Sequence, residues 1–146
     1  MCLNAGLDAD QVASVVLREW LRRFVPSPRV WTLQADLKND PFYAAAWKRI
    51  YVDAKEGEQE EFAAAAELYA SVRLGLSTHR TALREIHGAD GGLPLAGHVY
   101  ARLREAYPGG LPDSFDYNRF LETILPELLS FPGGVRAAHE RLVEPV

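Results

Sequence analysis

Cysteine is almost missing. Cys2 stands alone in 146 residues, which excludes an internal disulfide framework and a cysteine-built zinc site. Its place beside the terminus offers no structured surroundings to activate the thiol. No apolar run approaches the roughly 18 residues of a membrane span. No basic segment leading into an apolar one opens the chain, so no secretory leader is expected and the cytoplasm is the expected compartment. Positive charge is in deficit: 16 Lys and Arg face 20 Asp and Glu, a net −4. That excludes a general polyanion-binding coat, though not a local basic face. Apolar–polar alternation with a period of two is absent over any useful length, so no sheet is expected.

Chemical motifs are equally sparse. His79, His87, His98 and His139 show no i, i+4 pair around a glutamate, the spacing of a helix-borne zinc site. No Glu-x-x-His recurs on two helices as a di-iron bundle needs. Gly91-Gly92 and Gly109-Gly110 are isolated pairs, without the spaced glycines and lysine of a phosphate loop. No serine sits in a Gly-x-Ser-x-Gly turn. Neither a metal nor a cofactor is therefore expected.

What is present is helical periodicity. Hydrophobic residues make up 48% and charged ones 25%, enough core for one soluble domain. The expectation is an all-α bundle of five to seven mostly antiparallel helices over residues 1–146. Residues 1–7 and 144–146 are expected to be flexible. Asp8 with Gln11 has capping-box spacing ahead of a helix through Phe24. Residues 29–39, anchored by Val30, Trp31, Leu33 and Leu37, fit either a loop or a short helix. Asn39 or Asp40 caps the next helix, with Pro41 in its first turn and Gly57 at its end. A long helix from about Glu58 to His87 follows. Gly75 weakens it, so a break near residues 76–78 is anticipated, with Ser77 or Thr78 capping the second part. Further helices are expected over about 95–107, 116–130 and 134–143, with Pro126 kinking or splitting the second of these. The tryptophans are expected in the core.

Charge is unevenly spread. Residues 17–49 hold seven basic and three acidic side chains, a local +4. Arg18, Arg22, Arg23 and Arg29, with Lys48 and Arg49, can meet a phosphate backbone or form a solvated face with ion pairs such as Glu19–Arg23. Arg80 and His87 lie two helical turns apart on one face. An arginine beside an imidazole can bind a phosphate while the imidazole moves protons. This spacing resembles the Arg-x(4–6)-His signature of HEPN ribonucleases, which implies RNA cleavage by a symmetric dimer; Thr81 stands where those families carry a polar Asn, Asp or His. Glu56, Glu58, Glu60 and Glu61 suit the positive end of a helix, or mimic nucleic-acid charge in a protein-binding adaptor or inhibitor.

Four pieces occur in the order of one further family. They are Leu17-Arg18-Glu19-Trp20-Leu21-Arg22-Arg23-Phe24, then Phe42-Tyr43 through Ala54, then Glu60-Glu61-Phe62 through Leu68-Tyr69-Ala70, then Phe115 through Leu121 with Ile124-Leu125. In this order the chain resembles the small helical subunit of type I-E CRISPR Cascade complexes, the CasB family. The resemblance implies a non-catalytic protein that pairs with a second copy and with other subunits and contacts the nucleic acid they hold. It implies phosphate-contacting roles for Arg18, Arg22, Arg23, Arg119 and Arg136.

Overall fold

The computed structural model describes residues 25–51, 60–88 and 93–142. The expected helix over 8–24 with Arg18, Arg22 and Arg23, the end of the next helix at Gly57, and the segments 1–7 and 144–146 lie outside them. Seven helices and no strand occupy the described residues: α1 Pro28–Leu37, α2 Pro41–Tyr51, α3 Glu60–Arg73, α4 His79–Gly88, α5 Pro94–Ala106, α6 Tyr117–Leu129 and α7 Gly134–Arg141. The fold is all-α, as the periodicity predicts.

Local chemistry sets most boundaries. Ser27 caps α1, its side chain accepting from the Val30 N–H, and Pro28 stands in the first turn, where its missing N–H is harmless. Residues 29–39 are thus mainly helical, and Val30, Leu33, Gln34 and Leu37 form the buried stripe. Trp31 lies about 100° round the helix from Val30. It is 37% exposed, against the expectation that tryptophans fill the core. Asp40 Oδ1 accepts from the N–H groups of Phe42 (2.9 Å) and Tyr43 (3.2 Å) and starts α2.

The anticipated break in the long helix is real. Gly75 takes a left-handed φ of 77°. Leu76 N–H then bonds Ser71 O and Gly75 N–H bonds Val72 O, the paired closure of a Schellman motif. Thr78 Oγ1 accepts from Thr81 N–H at 3.1 Å where α4 begins. Asp116 caps α6 by accepting from Arg119 N–H. Pro126 does not split α6, which continues to Leu129. The proline stands in the last turn, so few bonds depend on it, and Ser130 closes the end by donating from its N–H and its Oγ to Pro126 O.

Helix α5 is the centre. It packs against α2, α3, α4, α6 and α7, and Leu95, Ala96, Val99, Tyr100 and Leu103 are all buried. Gly97 on this helix lets Ile86 and Leu142 close in from two sides; a Cβ there would lie 2.8 Å from Ile86 Cγ2 and 2.9 Å from Leu142 Cδ1. Helix α4 returns against α5, with His79 beside Tyr100 and Ile86 O bonded to Leu93 N–H. Helices α3 and α5 therefore point the same way. Glu61 at the start of α3 accepts from Ala96 N–H at the start of α5 (2.8 Å), and Tyr69 OH donates to Tyr107 O past its end (2.6 Å). The starts of α1 and α6 are joined, Ser27 N–H donating to Asn118 Oδ1 at 2.8 Å. Asp40, at the start of α2, reaches α7, its Oδ2 accepting from Val135 N–H at 3.1 Å.

Candidate functional site

The arginines singled out from the sequence do not meet within the described residues. Arg119 is exposed in the first turn of α6, beside the start of α1. Arg136 is exposed on α7, its guanidinium 5.0 Å from the Phe42 ring centroid. The length of α6, about 20 Å at 1.5 Å per residue, lies between their neighbourhoods. Lys38 places its ammonium 4.0 Å over the half-buried Trp47 ring. Arg29 and Lys48 are exposed.

Arg80 and His87 also differ in setting. Arg80 is exposed, whereas the half-buried His87 turns its Nε2 to Leu142 O and its ring to His139, 4.4 Å between centroids. That imidazole joins α4 to α7. Glu61 is fully buried and holds the α5 N-terminus, so it is not part of a solvated acidic face. The other three glutamates of that cluster lie outside the described side chains.

A different set of cations comes together. Arg73, Arg104 and Arg141 each stand in the last turn of a helix, α3, α5 and α7. Arg104 lines two clefts. One, of about 180 Å³, it shares with Arg73, Tyr69 and Val72. The other, of about 270 Å³, it shares with Arg141, His79, Tyr100 and Glu105. Arg104 is thus the middle of a track running from Arg73 to Arg141. Glu105, the acidic residue in that second cleft, is drawn aside by Arg102 Nη1 at 2.5 Å, and Arg102 Nε also reaches Glu127 Oε1 at 3.1 Å. The three arginines lie far apart in sequence. The one trace of them there is a basic residue near each helix C-terminus, where it also offsets the negative pole.

The aromatic groups between these cations are uncharged. His79 Nδ1 lies 2.9 Å from Tyr100 OH, with the rings stacked at 16°. Burial and then the Arg104 charge push the His79 pKa down. Burial pushes the Tyr100 phenol up, against the pull of Arg104. The arginines supply the charge of the track, while Tyr100 is fully buried beneath it with the His79 ring stacked on it. Such a surface binds anions by charge.

The histidines give the fold a pH dependence. His98 Nε2 donates to Ile124 O at 3.1 Å and lies 3.4 Å from Glu127 Oε1, with Arg102 beside it. Burial is the largest influence and lowers its pKa, although the Ile124 carbonyl and Glu127 act the other way. A folded pKa below the ordinary value of about 6.5 means that the unfolded chain binds more protons in the interval between the two. The stabilisation from His98 and His79 is therefore complete above about pH 6.5 and falls as acid enters that interval. Urea midpoints should decline from about pH 7 to about pH 5, and His98→Gln, which keeps a donor without titrating, should make the decline shallower. An identical decline in that variant would remove His98 as a source.

Among the described residues no group of three or more His, Cys, Asp or Glu side chains is placed to hold a metal ion, and no helix is long and apolar enough to cross a membrane. Comparison with known proteins gave no match: no family model, no curated protein and no solved structure matches the chain.

Proposed function

We propose that the protein is a non-catalytic, cytoplasmic helical subunit of a nucleic-acid-bound assembly, and that it contacts the phosphate backbone. The observation that carries this reading is the double membership of Arg104, which links Arg73 in one cleft to Arg141 in the next. Consecutive phosphates need such a row of cations, and a row positions a strand without reading its bases. The resemblance to the CasB family supplies the setting, a complex in which the protein sits beside other subunits. Arg119 and Arg136 are exposed and available as further contacts.

The test is fluorescence anisotropy with a single-stranded oligonucleotide across a salt series. Each phosphate contact contributes about 0.7 to the slope of log K against log salt for a single strand. Alanine at Arg73, Arg104 and Arg141 together should therefore flatten the slope by about 2. The triple variant also loses favourable charge at three helix ends, about 0.3–1 kcal/mol each, so its helicity is checked by circular dichroism. An unchanged slope in the folded variant refutes the track as the contact surface.

A further inference from the structure

Arg73 also borders a third and more apolar cavity of about 430 Å³, formed by the second half of α3, Leu103 of α5 and the segment 110–117. That volume falls within the rough 300–1,000 Å³ range of small-molecule sites. Its wall is mostly carbon, from Ala66, Ala70, Leu103, Leu111 and Phe115. Leu74 and Leu111, 46% and 44% exposed, stand at its edge as large apolar side chains left in water. Two tyrosines line the wall, and both hydroxyls already donate to backbone: Tyr69 OH to Tyr107 O at 2.6 Å and Tyr117 OH to Phe62 O at 2.5 Å. Burial raises both phenol pKa values, so both keep their protons. Among the described residues Arg73 is the one charged side chain in the lining. Gly110, at φ 112°, is what admits it: a Cβ there would lie 3.1 Å from Arg73 Nη2.

This chemistry selects a ligand. The wall offers a neutral polar molecule little to bond with. A strand of nucleic acid would ask for several cations and an open ring face, whereas the Phe115 ring already meets Tyr107, Tyr117 and Phe120. An apolar tail with one anionic head matches both the carbon wall and the lone guanidinium, whose planar fork accommodates a carboxylate in two parallel bonds. We infer that the cavity binds a medium-chain alkyl carboxylate, its tail along Ala66, Ala70 and Leu103 and its head on Arg73. The cavity shares Arg73 with the proposed phosphate track, and Ala70 and Ala66 belong to the cavity alone.

Calorimetric titration of the full chain with decanoate, below its micelle concentration, tests this, with decanol as the neutral counterpart. Decanoate should bind saturably at one site. Arg73→Gln should weaken it about tenfold or more and leave decanol unaffected. Ala70→Phe, which places a ring in the cavity, should abolish binding of both while leaving oligonucleotide affinity intact. Ala66→Leu serves as a second block should the first variant unfold. Absence of saturable decanoate binding to the unmodified protein overturns the inference. So does decanoate affinity that survives both the arginine and the blocking substitutions.

Discussion

Glu61→Ala should destabilise the protein by about 3–5 kcal/mol. The side chain is fully buried, and its Oε2 accepts from the Ala96 N–H at 2.8 Å. Among the described residues no side chain at the head of α5 replaces that acceptor. Leu93, at the head of α5, provides no side-chain cap, and Pro94 has no N–H to offer. A hydrogen bond to a charged acceptor contributes about 1.5–3 kcal/mol, and a buried donor left without one costs about 1–3. The side-chain methylenes add about 0.8 kcal/mol each. At roughly 2–4 °C per kcal/mol for a chain of this size, the melting temperature should fall by about 10 °C. Glu61→Gln retains an oxygen of the same reach and should lose about 1 kcal/mol. Thermal unfolding followed by circular dichroism separates the two. Equal losses would show that packing, rather than the bond to Ala96, accounts for the effect.

Asp40→Ala comes next, at about 2–4 kcal/mol. One carboxylate serves two helices. Oδ1 takes the Phe42 and Tyr43 N–H groups of α2, and Oδ2 takes the Val135 N–H of α7 from ninety-five residues away. Each cap contributes about 1 kcal/mol, up to about 2. The carboxylate also opposes the positive poles of both helices. Gly134 makes the approach feasible: a Cβ there would stand 2.8 Å from Asp40 Oδ2. Asp40→Asn distinguishes the two roles. Its amide oxygen can cap α2, but its NH₂ cannot accept from Val135. Urea unfolding should place the asparagine variant about midway between the native protein and the alanine variant. Full recovery by asparagine would leave the link to α7 without energetic weight.

Much of the architecture was legible because its signals are local. As helix caps, Asp40, Thr78 and Asp116 act within four residues of themselves, and Gly75 ends α3 through its own backbone angle. The buried stripe of α6, Leu121, Ile124, Leu125 and Leu128, follows directly from helical spacing. The misreadings share a different cause. Glu61 reads as a solvated glutamate until the uncapped start of α5 is brought against it. Trp31 faces outward because Val30 and Leu33 already occupy the inner side of α1. The arginine track was invisible for the same reason. Its members belong to three helices, and what brings two of those helices into the same direction is the return of α4 between them.

The enclosure of α5 has a kinetic meaning. Val99, Tyr100 and Leu103 are buried among its neighbours, so their amides should reach water only when the whole body comes apart. Proton exchange with deuterated solvent at those positions measures the global opening free energy. Exposed positions in a helix's first turn, such as Arg29, exchange through local fluctuations instead.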